Sequence, residues 1–161
     1  MPGIDECLLE AMLVPGARGA SVVDWSSGLS LGSVGEAPGD DHETTAAETG
    51  ELARLSAEFA TFAATPSSGA LVDGKPVTAP ATAPATAVPA LPVLASQSAR
   101  GSTPLVEDLI LTTRSGYHLV RFLATSFDST VCLHLWLDRD LGNLALARLR
   151  MRDLAERLVL G

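Results

Sequence analysis

Hydrophobic positions along the chain change their spacing several times, and each change marks an element. Ile4, Cys7, Leu8, Ala11 and Met12 recur at helical spacing until Pro15-Gly16 ends the pattern, which predicts a first helix. Residues 17–25 take strand character, with Val22, Val23 and Trp25. Ser26-Ser27-Gly28 supplies a turn, and Leu29, Ser30, Leu31 and Gly32 alternate as a second strand, so the two read as a hairpin. Asp40 with Glu43 forms a capping-box pattern that opens a helix running to about Ala64. Leu105–Thr113, a turn at Ser115-Gly116 and Tyr117–Thr125 give a second hairpin. After a turn at Ser126–Ser129, Val131, Leu133, Leu135 and Leu137 alternate with Cys132, His134 and Trp136. Both faces of that strand are largely apolar, which places it at the centre of a sheet covered on both sides. A last helix from about Leu141 carries Leu144, Ala147, Met151, Leu154, Ala155 and Leu158 on one face. The order αββαβββα predicts an α/β protein of the α+β kind: a five-stranded, mostly antiparallel sheet sandwiched by helices.

The central helix has an unusual pattern. At about 100° per residue, Ala46, Gly50, Ala53, Ala57 and Ala60 fall on one face, and Leu52, Leu55, Phe59 and Phe62 fall almost opposite. Glu51, Arg54 and Glu58 occupy a flank between them. A helix with one apolar stripe covers its own core; one with two needs cover on both sides. The small residues permit close approach by another backbone, so that face is assigned to a homodimer interface, made by Ala46, Gly50, Ala53 and Ala57.

Composition changes the picture between residues 65 and about 104. Seven prolines lie there (66, 76, 80, 84, 89, 92 and 104) among Ala, Thr, Ser and Gly, with a near-repeat at Thr78–Ala81 and Thr82–Ala85. Such a stretch cannot bury enough surface to offset its ordering entropy, and the reading is a disordered insertion in a single domain spanning 1–161. The net charge of −8 repels phosphate backbones and anionic lipid, which argues against nucleic acid and membrane surfaces as partners. Asp5, Glu6 and Glu10 interrupt the opening segment, unlike a secretory signal, and the apolar run Val88–Ala95 is too short to span a membrane. Cys7 and Cys132 sit far apart in apolar patterns and read as buried thiols, which suits a cytoplasmic protein.

Candidate chemistry is sparse. Gly28-Leu29-Ser30-Leu31-Gly32 matches the nucleophile-elbow pattern G-x-S-x-G. That elbow needs a strand ending at the serine and a helix starting just after it, whereas here the pattern follows a hairpin turn, so Ser30 reads as an ordinary strand residue. His42, His118 and His134 are scattered, and neither cysteine has a ligand partner at metal-binding spacing. The glycines at 28, 32, 35 and 39 are followed by no Gly-Lys-Ser/Thr, so no phosphate loop is present. The expectation is a protein without catalytic, cofactor or metal residues.

The element order, joined to particular stretches, resembles the roadblock (dynein light-chain) family, a roadblock/profilin-like fold. Those stretches are Leu13-Val14-Pro15-Gly16 before Gly19–Asp24, Ser27-Gly28-Leu29 in the turn, and Asp138–Arg148 entering the last helix. The resemblance covers residues 3–64 and 105–160. It implies a sheet of order 2-1-5-4-3 with the first and last helices on one face and the central helix on the other. It also implies a homodimer built from the central helices and the edge strand at 105–113, where Leu109 and Leu111 join the interface. Bacterial members are similar to the gliding-motility regulators that bind a small Ras-like GTPase across the paired central helices as activators or scaffolds. By that resemblance Glu51, Arg54 and Glu58 are the partner-contact candidates. The alternatives are a small-molecule-sensing domain and a purely structural dimerisation module.

Overall fold

The computed structural model describes residues 3–63, 105–124 and 130–160. The insertion expected at about 65–104 and the turn expected at 126–129 lie outside the described residues. The strands are β1 (Ala17–Asp24), β2 (Leu29–Gly35), β3 (Asp108–Thr112), β4 (Gly116–Leu123) and β5 (Val131–Asp138). They form one antiparallel sheet of order β2-β1-β5-β4-β3. The twofold-apolar strand β5 is central, and its residues 132–137 are all buried. Helices α1 (Ile4–Ala11) and α4 (Leu144–Leu160) cover one face; α2 (His42–Glu58) and a four-residue turn, α3 (Ala60–Ala63), follow β2.

Alternation along the strands divides the core into two. Val22, Leu119, Leu133, Leu135 and Leu137 pack under Leu8 and Ala11 of α1 and Ala147, Met151 and Leu154 of α4. Their in-between neighbours Val23, Val120, Phe122 and Cys132 pack under Ala46 and Ala53 of α2. Trp25 meets Phe122 edge to face at 6.1 Å on that second side. Each fully buried Leu or Val removes enough apolar surface to stabilise the fold by about 1.5–3 kcal/mol.

Two helix starts differ from the sequence reading. Asp41, not Asp40, caps α2: its backbone is extended (φ −136°) and its carboxylate accepts the amide N–H groups of Glu43 and Thr44 at 3.2 and 3.1 Å. Asp40 has φ +61° at the end of a tight turn, Pro38–Asp40, a conformation unsuited to an N-cap. The last helix begins at Leu144 rather than near Leu141. The Asp138 carboxylate accepts the N–H groups of Asp140 and Leu141 and turns the chain out of β5, after which Asn143 caps the helix by accepting from Leu146 at 3.0 Å. At its other end α2 stops at Glu58, because Phe59 takes an extended ψ of 125°. Among the described residues no helix is long and apolar enough to cross a membrane.

Candidate interaction surface

Helix α2 presents its two apolar stripes in the opposite sense to the sequence reading. Thr45, Ala46, Thr49, Gly50, Ala53 and Ser56 are buried against the chain's own sheet, and Ala57 packs beside them. Of the residues assigned to a dimer interface, Ala46, Gly50 and Ala53 are buried within one chain and Ala57 is partly buried beside them. The physical reason lies underneath. The sheet face carries Val23, Trp25, Val120 and Phe122, so a helix seated on that floor must itself be smooth. Closest approach falls at the β1–β2 turn, where a Cβ on Gly50 would stand 3.0 Å from the Gly28 Cα. Gly28 has φ +74°, which the turn demands and other residues rarely adopt.

The bulky stripe faces outward. Leu52, Leu55, Phe59 and Phe62 are 39%, 40%, 46% and 55% exposed. Phe59 and Phe62 lie 6.5 Å apart, ring to ring. Along the flank, Arg54 pairs with Glu51 at 2.6 Å and with Glu58 at 3.4 Å. The hydrogen bond and charge of Glu51, with Glu58 behind, raise the Arg54 pKa above its ordinary value, so the guanidinium is a fixed cation bracketed by two carboxylates. The three partner-contact candidates thus form one exposed ion-pair row beside an open apolar stripe.

Among the described residues strand β3 is the sheet's edge and pairs only with β4. Leu109 is half-buried against the α2-side core, whereas Leu111, two residues on and on the same strand face, is exposed. Ile110 points the other way and is exposed too. An apolar helix stripe and an open strand edge therefore occur on one side of the sheet.

Ser30 lies within β2, its hydroxyl donating to the Gly32 carbonyl at 3.4 Å, and the next α-helix begins twelve residues later at His42. A serine and two histidines do meet elsewhere. Ser21 Oγ is 3.4 Å from His134 Nδ1, and His134 Nε2 is 3.2 Å from His118 Nδ1. The His118 ring stacks between His134 and Trp136, and the Arg18 guanidinium lies 3.8 Å over Trp136. Ser21 and His134 are buried, and the space beside them holds about 10 Å³, room for no substrate. Burial lowers the pKa of both rings, and for His134 the charge of His118 lowers it further. No group of three metal-ligating side chains occurs among the described residues. Burial pushes the Cys7 and Cys132 thiols up to about 11 and about 12, away from reactivity. An open groove of about 340 Å³ runs between α1 and α4 on the opposite face.

No protein-family profile and no curated protein matches the sequence. Solved structures do. The chain aligns with Myxococcus xanthus MglB over 97% of its own length and 81% of that chain, at a TM-score of 0.57 and 15% identity. It aligns with a Roadblock/LC7 domain from Streptomyces avermitilis over 92% and 88%, at 0.54 and 16%. The fold is that of the roadblock/LC7 domain. An MglB in a tetrameric arrangement aligns over 97% and 85%, at 0.61 and 16%. The observed sheet order and the placement of the helices agree with the roadblock resemblance read from the sequence. What was not legible is which stripe of α2 a roadblock chain turns outward; the bulk of the sheet face beneath it, Val23, Trp25, Val120 and Phe122, was the available signal.

Proposed function

We propose that this roadblock-fold chain is a non-enzymatic, homodimeric regulator or scaffold for a small Ras-like GTPase, acting in the cytoplasm. One observation carries the reading: the outward apolar residues Leu52 and Leu55 on α2 with Phe59 just past its end, edged by the Glu51–Arg54–Glu58 row, on the same side of the sheet as the β3 edge. Two copies joined through β3, with Leu111 and the α2 stripes brought together, would cover both features at once. The charged rows would then flank the paired helices as the surface a GTPase meets. The likeness to two MglB structures supports the regulator branch of the fold, and Arg54, held by two carboxylates, acts there as part of the contact row rather than as a catalytic finger.

The test is capture from native cytosol on immobilised full-length chain, with and without a non-hydrolysable GTP analogue, alongside the Arg54→Glu variant. Nucleotide-dependent recovery of a small GTPase, lost in the variant, is the expected result. Recovery of the chain alone, with folding verified by circular dichroism, would leave a structural dimerisation module and defeat the regulator reading.

A further inference from the structure

The face presented by α2 is acidic as well as apolar. The helix carries Glu43, Glu48, Glu51 and Glu58 against a single arginine, Arg54, and all four glutamates are exposed. Arg54 is already bracketed by Glu51 and Glu58. Arg18, stacked on Trp136 at the same side of the sheet, is held by Glu36 at 2.6 Å. Glu43 and Glu48 enter no ion pair among the described residues. The arginines of α4 lie across the sheet, where they cannot neutralise this helix.

Most of these acids do not serve the helix itself. Glu43, in the first turn, suits the helix dipole. Glu48 and Glu51 lie three residues apart on one surface, where like charges repel. Glu58 is the last residue of α2, where the carbonyl end disfavours an anion. Their positions relative to the exposed leucines are regular instead. Glu48 stands one turn before Leu52, Glu51 one turn before Leu55, and Glu58 one turn after Leu55. Two outward leucines are thus ringed by three carboxylates.

We infer that the α2 face takes a cationic protein surface: an apolar patch seats on Leu52 and Leu55, and lysine or arginine side chains around that patch meet Glu48, Glu51 and Glu58. The inference rests on α2 being the partner-facing helix, and it specifies the chemistry of what docks there. For a small GTPase it requires a basic contact surface. The leucines supply the affinity; the carboxylates speed the encounter and reject acidic surfaces. Pairing two copies through α2 doubles this field rather than cancelling it, so the proposed dimer attracts such a surface more strongly than one chain does.

The probe is a fluorescently labelled helical peptide with a leucine stripe edged by lysines, titrated with the full chain and read by anisotropy. Its counterpart carries glutamates in place of the lysines. The lysine peptide is expected to bind about ten-fold tighter or more, and to weaken about ten-fold between about 50 and about 300 mM NaCl. Glu48→Lys/Glu51→Lys should cost about ten-fold, and Leu55→Ser should weaken binding at both salt concentrations. Asp5→Lys/Glu6→Lys changes the net charge equally, but on α1 across the sheet, and should leave the affinity within about two-fold. All substituted positions are exposed, and circular dichroism checks that each variant is folded. Equal losses from the α1 and α2 pairs would assign binding to overall charge and overturn the inference. So would equal affinity for the two peptides, or binding indifferent to Leu55→Ser. The GTPase reading fails separately: a chain that binds the lysine peptide as described but recovers no GTPase from cytosol keeps the cationic docking surface and loses the regulator.

Discussion

Gly50 of α2 rests against Gly28 of the β1–β2 turn, backbone to backbone, with 3.0 Å separating the Gly28 Cα from the position a Cβ on Gly50 would take. Trp25 Cα lies 3.5 Å from the same point. The contact fixes how low α2 sits on the sheet and therefore which of its stripes is left for a partner. It also separates two outcomes that the sequence alone runs together. A bulky residue at Gly50 should lift α2 off its own sheet rather than split a dimer. Gly50→Leu is expected to lower folding stability by about 1–3 kcal/mol, the usual cost of overpacking. Ala53→Leu, at a fully buried position, should behave alike. Urea denaturation followed by circular dichroism checks this; a normal midpoint with a halved mass would return these residues to the interface.

The outward stripe should show the converse. Leu55→Glu on α2 and Phe59→Glu just past its end replace exposed apolar side chains, so the isolated fold should change by no more than about 0.5 kcal/mol. Their effect should fall on association through the α2 face, read as a loss of mass by light scattering at unchanged thermal midpoint. Loss of folding with no separate mass effect would mean that the stripe is covered within the chain.

How these two stripes were read shows where sequence patterning stops. The element order followed from features that periodicity reports well: a strand apolar on both faces at 131–137, two hairpins with Gly-containing turns, and a final helix with one clean face; the strand order 2-1-5-4-3 came from the roadblock resemblance. The two-sided apolar character of α2 was equally visible. Direction was not, because a helical wheel carries no information about the height of the floor below. Small residues at 46, 50 and 53 suit either a neighbouring helix or a sheet paved with Trp25, Phe122 and Val120, and only the packing decides. The cap moved by one residue, from Asp40 to Asp41, for a similar reason: both are good capping residues, and the turn at Pro38–Asp40 places only the second in an extended conformation. The contact row Glu51–Arg54–Glu58 was legible as spacing; that it stands beside bulky rather than small residues was not.

The stacked histidines make stability depend on pH. In the unfolded chain His118 and His134 take up a proton near their ordinary value of 6.5, whereas burial, and for His134 the neighbouring ring, holds both below it in the fold. Arg18 over Trp136 adds positive charge nearby, and Glu36 is occupied with Arg18. The unfolded state therefore binds more protons, so the contribution of a neutral pair is complete above about pH 6.5 and is lost as pH falls. Asp41 and Asp138, lowered by hydrogen bonds from Thr44 and from the Leu141 amide, add their own loss only below their ordinary carboxylate range. Between roughly pH 6.5 and 4.5 the decline should belong to the histidines. Urea midpoints across that window should slope downward in the wild type and flatten in His118→Gln/His134→Gln. An unchanged slope in the double variant would place the acid sensitivity elsewhere.

Asp108 ties the edge strand to the rest of the fold. Its carboxylate accepts from Arg121 of β4 at 3.1 Å and from Arg148 of α4 at 2.8 Å, and it is largely buried, as Arg121 is. Arg148 is more than half exposed. The two arginines should therefore respond unequally when the cluster is taken apart. Asp108→Ala strands the Arg121 guanidinium in a poorly hydrated place and removes a carboxylate shared by β3, β4 and α4, for an expected loss of roughly 2 kcal/mol. Glu107, 3.6 Å from Arg121 but well exposed, relieves only part of it. Arg148→Ala gives up a solvent-screened pair and should cost much less. Because Asp108 opens β3, its loss should also speed amide hydrogen exchange along Leu109–Thr112 more than in β5, and fraying of that edge should weaken any association that runs through it. Equal costs for Asp108→Ala and Arg148→Ala, with exchange in β3 unaltered, would show that the cluster decorates the surface and does not anchor the strand.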